Sequence, residues 1–191
     1  DGYDGRGGDI RVGVHDGDAR NAYSMQGANL GWFGFGDGGP GEGSFAVQDV
    51  CGHEFTHAVI GATSGLNYRD ESGAANESFA DIFGTFIEAR SGNSRDGANW
   101  RMGEDVDGVG LRDMADPTLF RLPDHYREYT VIPNDAGGVH YNSSILNKAA
   151  FLLTSGGRHA DTGVQVAGIG VAKAQLVLYR AMVGYLAPNS N

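Results

Sequence analysis

The sequence predicts an α+β fold, with β structure first and helices segregated after it. Ile10, Val12 and Val14 alternate with polar or small neighbours, which is the period of a half-buried strand. Glycine makes up 32 of 191 residues, well above the usual ~7%, and concentrates in Gly27–Gly43, as long turns and hairpins require. From Asp49 onward the apolar period lengthens to that of helices. Residues 1–48 therefore read as part of a β-rich N-terminal lobe, and 49–191 as a mostly helical lobe.

The elements follow in order. The run GANLGWFGFGDGGPGEG at 27–43 predicts a hairpin with a mobile tip beside a cleft. Val50–Thr63 is an apolar helix that Ser64-Gly65 ends. Asn76–Arg90 is a second helix, with Phe79, Ile82, Phe83, Phe86 and Ile87 forming a broad apolar face. Residues 91–140 carry many turn signals and few apolar runs, so loops and short helices are expected there. Ser143–Thr154 is a third helix, closed by Gly156-Gly157, and Gly170–Leu186 a fourth.

Composition narrows the function. A net charge of −10 and a pI near 4.8 argue against a nucleic-acid partner, which needs a basic face. No apolar run approaches the roughly 18 residues of a membrane span, so no membrane partner is expected, and no stretch near the start resembles a signal peptide. The single cysteine, Cys51, excludes an intrachain disulfide and reads as a buried thiol packing its helix.

The chemistry lies in His53-Glu54-Phe55-Thr56-His57. Residues four apart on a helix lie ~400° round and ~6 Å along, so both imidazoles face one way. A zinc ion can bridge them, with Glu54 beside it as general base. With 6 histidines in 191 residues, the motif arises by chance in only about one such chain in a hundred or more. Glu77, on the second helix, offers a third ligand and leaves one position open, the arrangement of a catalytic site. Asp81, four residues further on the same face, can accept the second N–H of one imidazole, and Asn76 that of the other.

Tyr68 and His140 are candidate donors to the oxyanion of a hydrolytic transition state. Asp135 and His140 straddle a Gly137-Gly138 turn that can fold the two side chains together. A lone histidine is as often structural, and His15, His125 and His159 are read that way.

HEFTH, GLNYRDESGAANESFADIFG, GEDV, LRDMADP, PDHY and DAGGVHYNSSILNKAAFLL together resemble the thermolysin family of zinc endopeptidases, in order and spacing. The match runs from about Tyr3 to the C-terminus, with small insertions near 93–98 and 130–134. The metzincin pattern fails, because it needs Gly and His where Ile60 and Thr63 stand. The resemblance implies a thermolysin-like fold with one catalytic zinc in the cleft between the lobes. It implies a secreted endopeptidase, made as a zymogen, that cuts peptide and protein substrates before medium or large hydrophobic residues by a metal-activated water. It places Glu54 as base, Tyr68 and His140 on the oxyanion, and Asp135 behind His140. Asn21 and Ala22 would hold the substrate backbone, and Arg112 the carbonyl beyond the cut. Val50, Met102, Val106 and Leu111 would wall the pocket for the residue after the cut. Ser24 stands where the family commonly has tryptophan, which leaves that side more open.

Calcium is where the chain departs from the family. Asp49, Glu88 and Glu104 match carboxylates of a paired calcium site, but Asn99 and Arg101 replace two acids. The resemblance then implies at most one structural calcium, with Arg101 in the second ion's place by salt bridging, or a calcium-free carboxylate–arginine cluster. Family members also extend beyond both ends of this sequence. Apolar surface is therefore expected at the ends, covered by the chain's own propeptide or a further chain. A non-catalytic binding module and an aminopeptidase are the competing functional classes. The first would typically have lost Glu54 or a ligand, and the second needs a motif to capture an amino terminus that is not seen here.

Overall fold

The computed structural model of the chain describes residues 2–17, 19–27, 30–91 and 99–191. Three strands come first: β1 (Asp9–Val14), β2 (Ala22–Gly27) and β3 (Leu30–Phe35). β3 is central, parallel to β1 and antiparallel to β2, so β2 is an edge strand. The glycine-rich run supplies β3 and the loop after it. The tip of the predicted hairpin, at 28 and 29, lies outside the described residues, as does the insertion near 93–98.

The alternation at Ile10, Val12 and Val14 does mark a strand but not a half-buried one. These side chains are 45%, 59% and 52% exposed. β1 is also an edge, and the helix that backs the sheet packs mainly on β2.

That helix is α1 (Gln48–Ala62), which starts two residues before the predicted boundary. It ends where Gly65, at φ +62°, donates its N–H to Ile60 O at 2.8 Å. The left-handed conformation that glycine adopts there without strain closes the last turn. α2 (Asp70–Ser91) begins six residues earlier than predicted. Asp70 and Glu71 in its first turn complement the helix dipole.

α1 and α2 cross closely at Gly52 and Gly84. A Cβ on Gly84 would lie 2.5 Å from Asp49 O, and one on Gly52 would lie 3.0 Å from Gly84 Cα. Only glycine permits this approach, which brings His53 within reach of Glu77 and Asp81.

The stretch read as loops and short helices holds β4 (Arg101–Met102) paired with β5 (Arg112–Asp113), α3 (Glu104–Asp107) and three 3-10 turns. α4 (Val139–Ser155), a short hairpin of β6 (Gly157–Arg158) and β7 (Gln165–Val166), and α5 (Val171–Gly184) complete the order. The core runs from Phe33 and Phe35 through Ile60, Ile82 and Phe86 to Leu178 and Met182. Full burial of Ile60 and Ile82 contributes about 1.5–3 kcal/mol each. Trp100 stacks edge-on between Phe86 and Phe151, tying the loop region to α2 and α4. Exposed apolar side chains cluster on α5, where Leu176 is 61% and Val177 51% exposed. No helix among the described residues is long and apolar enough to cross a membrane.

Candidate metal centre

α1 and α2 bring three ligand side chains together. His53 Nε2 and His57 Nε2 lie 3.0 Å apart, and Glu77 stands 3.5 Å from the first and 3.4 Å from the second. The other ring nitrogens are committed. His53 Nδ1 faces Asp81 Oδ1 at 2.9 Å, and a carboxylate can only accept. His57 Nδ1 faces Asn76 Oδ1 at 2.7 Å. Asn76 Nδ2 donates to Leu66 O at 3.1 Å, which fixes the amide orientation and makes Oδ1 an acceptor. Both imidazoles therefore donate from Nδ1 and point Nε2 lone pairs at each other.

Two lone pairs and a buried carboxylate converging at these distances repel one another unless a cation joins them. Glu77 Oε2 is buried with no hydrogen-bond partner, as a ligand oxygen would be. Burial disfavours the charged form of Glu77, but His57, His53 and His140 outweigh it and hold the carboxyl well below the usual carboxylate range. Burial likewise pulls His57 down, yet Glu77 and Glu54 push it up to about 9. The cluster therefore demands positive charge. Two imidazoles and one carboxylate are the donor set of a catalytic zinc site, so the residues fit that ion. Glu54 lines the same cleft and is 6% exposed, and burial raises its proton affinity despite the nearby histidines.

Tyr68 and His140 reach the centre from the other side. The Tyr68 hydroxyl donates a short hydrogen bond to Glu77 Oε1 and lies 3.1 Å from His140 Nε2. Burial and the Glu77 carboxylate push its phenol up, so it stays protonated as a donor. Asp135 holds His140 through Oδ1 and Nδ1 at 2.5 Å. Its Oδ2 also accepts the backbone N–H groups of His140 and Tyr141 at 3.0 and 3.3 Å, capping the first turn of α4. Sequence reasoning missed this second task. Asp70 N donates to Ala136 O at 2.9 Å, joining the loop that carries Tyr68 to the turn that carries Asp135.

A cleft of about 640 Å³ opens over these groups. Asn21, Ala22, Tyr23 and Ser24 form its β2 wall, and Val50, Met102, Leu111 and Arg112 part of the other. Val106 is a correction. It is not among the lining residues but sits in the core at 5% exposure, where its carbonyl anchors Gly43 N at 2.6 Å. Its side chain packs in the core, and Phe45 and Leu66, which carried no sequence signal, supply apolar wall instead. The Arg112 guanidinium lies against Asp81, with Nε and Nη2 donating at 2.8 and 2.7 Å.

The calcium candidates gather at the far end of the two helices. Asp49 and Glu88 are 1% and 3% exposed. Asn99 donates to Glu104, and Asp49 accepts from Gly103 N. Burial and then the neighbouring Glu104 push Glu88 up to about 7, and burial raises Asp49 to about 6. Glu88 Oε2 and Glu104 Oε2 are buried without partners. Arg101 does not fill this space. β4–β5 pairing sets it opposite Asp113, and its Nη2 lies 3.1 Å from that carboxylate. Among the described residues, donor atoms close within 4.8 Å in two groups of three: His53, His57 and Glu77, and the more exposed Asp124, Glu128 and Asp161.

The remaining histidines do other work. His15 pairs with Asp37 at 2.7 Å, His125 Nδ1 accepts from Arg127 N, and buried His159 bonds Asp124 O at 3.1 Å. Cys51 is partly buried, which pushes its thiol up to about 11.

Two helices presenting HExxH and a downstream glutamate under an edge strand define a candidate single-zinc site with the donor set His53, His57 and Glu77. Comparison makes the assignment specific. Residues 1–61 match the family model for the thermolysin metallopeptidase catalytic domain, and residues 64–191 that for its alpha-helical domain. The chain belongs to the thermolysin metallopeptidase family. It is 46% identical to a bacillolysin of Bacillus caldolyticus and 45% identical to a thermolysin of Alicyclobacillus acidocaldarius, over 99% of its length in each case. It spans about a third of those relatives, 35% and 34% respectively. A solved precursor of protealysin, a metalloproteinase from Serratia proteamaculans, superposes with a TM-score of 0.77 at 29% identity. That match covers 100% of this chain and 61% of the other.

Proposed function

We propose that the chain is the zinc-binding core of an endopeptidase that hydrolyses internal peptide bonds on the N-terminal side of medium or large hydrophobic residues. The observation that carries this reading is the convergence of His53, His57 and Glu77 with Glu54, Tyr68 and His140 around one cleft. In this reading residues 1–48 and 49–191 contribute facing walls of that cleft.

Zinc held by His53, His57 and Glu77 would supply Lewis acidity, lowering the pKa of water and polarising the scissile carbonyl. The chain's own residues do the rest. An extended substrate adds alongside edge strand β2, beginning at Asn21 and Ala22. Glu54 takes a proton from the attacking water as the new C–O bond forms, then gives it to the amine as the C–N bond breaks. The Tyr68 hydroxyl and His140 Nε2 donate to the oxyanion, and Asp135 keeps His140 Nδ1 protonated and aimed. Asp81 keeps the His53 tautomer and holds Arg112 at the cleft wall, facing the carbonyl beyond the cut.

Val50, Met102 and Leu111 favour Leu, Ile, Val or Phe after the cut. One methylene discriminates by only about 1–3 kcal/mol, so the preference is broad. A single structural calcium at Asp49, Glu88, Asn99 and Glu104 is part of the proposal, as is secretion as a zymogen. The precursor form of the Serratia relative supports the zymogen reading. Mass-spectrometric mapping of cuts in a denatured protein tests the specificity. Cuts clustered before Leu, Ile, Val and Phe are expected, and cuts confined to chain ends or before charged residues would overturn it.

A further inference from the structure

The inner face of α4 is polar where apolar side chains would pack more easily. Asn142, Ser143, Ser144, Asn147 and Thr154 are all buried there. Most bond locally or to nearby backbone: Asn142 to Thr130 O, Ser144 to Pro123 O, Thr154 to Ala150 O. Asn147 bonds instead to side chains of α2. Its Nδ2 donates to Asp81 Oδ2 at 2.8 Å, and its Oδ1 accepts from Ser78 Oγ at 2.7 Å. Ser78, Asp81 and Asn147 are each 0% exposed.

The bonds around Asp81 form a closed set. Oδ1 receives His53 Nδ1 and Arg112 Nη2, while Oδ2 receives Arg112 Nε and Asn147 Nδ2. Without Asn147, Oδ2 keeps only its bond from Arg112 Nε, so the carboxylate that His53 faces is held by the Arg112 fork alone. The carboxylate, which can only accept, fixes which way the amide faces, and Ser78, donating to Asn147 Oδ1, holds its other end. The next residue of α4 ties that helix to the segment just after β5. Lys148 Nζ donates to Ala115 O at 2.6 Å, three residues beyond Arg112.

We propose that Asn147, held by Ser78, is a positioning residue for the metal centre: together with Arg112 it fixes the Asp81 carboxylate and thereby the ring angle of His53. The proposal rests on reading His53, His57 and Glu77 as the zinc ligands.

The test is zinc affinity of the whole chain, measured by competition with a chromophoric chelator on protein shown to be folded by circular dichroism. Asn147→Ala should bind zinc about tenfold more weakly, the low end of the range for partners outside the ligand shell, and Ser78→Ala severalfold more weakly. Ser144→Ala removes a buried hydroxyl from the same helix without touching Asp81, and should leave zinc affinity unchanged. Affinity of Asn147→Ala within twofold of wild type, or an equal loss in Ser144→Ala, would overturn the proposal. If Asn147→Ala does not fold, Ser78→Ala decides, and unchanged affinity there would also overturn it. A wild-type chain that binds no zinc overturns the ligand reading itself, a distinct result.

Discussion

Replacing Asp81 by Ala tests the buried charge network that supports the site. Asp81 is fully buried and the Arg112 side chain is 14% exposed, with two hydrogen bonds of 2.8 and 2.7 Å between them. Removing the carboxylate leaves a mostly buried guanidinium at the cleft wall without its partner. It also leaves the Asn147 amide and, in metal-free protein, the His53 Nδ1–H without acceptors. Breaking one side of such a buried pair costs about 3–5 kcal/mol, a large part of the roughly 5–15 kcal/mol that stabilises an ordinary domain. Urea unfolding of metal-free Asp81→Ala should show that loss. Asp81→Leu with Arg112→Met should recover most of it, because no charge is then left buried. Burial disfavours the Asp81 anion, but Arg112 and then His53 hold its carboxyl far below the usual range. A depressed acid stabilises the fold above its unfolded pKa of about 3.9 and loses that contribution as pH falls through the folded value. Wild-type stability should therefore drop below about pH 4, with a slope that Asp81→Ala lacks. A loss under about 1 kcal/mol in Asp81→Ala, or no recovery in the double variant, would refute the reasoning.

Other consequences follow from the same geometry. Tyr68→Phe and His140→Ala should each lower kcat/KM by about 10²–10³, the usual cost of one oxyanion donor, with zinc content unchanged in metal analysis. Asp135→Ala should lower activity and also cost about 0.5–2 kcal/mol of stability in thermal unfolding, because the same carboxylate caps α4. Asp49 and Glu88 are raised to about 6 and about 7. Raised acids bind protons in the folded state, so without calcium stability should fall as pH rises from about 4 to about 7. Millimolar calcium should abolish that decline in a pH series of melting temperatures. A flat series without calcium would contradict the reading.

The helices and the ligand set were legible because each rests on local rules. Four-residue spacing put His53 and His57 on one face, and one turn separated Glu77 from Asp81. What was illegible depends on approach between distant elements. The start of α2 was hidden by Gly73, a poor helix former that is needed because a Cβ there would lie 2.4 Å from Val139. Val106 was placed in the pocket through the GEDV match, yet which way a side chain on a four-residue helix faces is decided by packing. Arg101 was read into the carboxylate cluster from position alone, whereas strand register gave it Asp113. Asn147 left no trace, since a polar residue on an apolar helix reads as surface until its buried partners are known.

The central claim is that one zinc and Glu54 together drive peptide hydrolysis in this cleft. Zinc content and turnover of a quenched peptide with Gly-Leu and Gly-Phe bonds, measured on wild type and Glu54→Gln, test it most directly. One zinc per chain in both proteins, with cleavage before Leu or Phe only in wild type, is the expected result. Equal turnover in Glu54→Gln, or zinc bound without turnover in wild type, would contradict it.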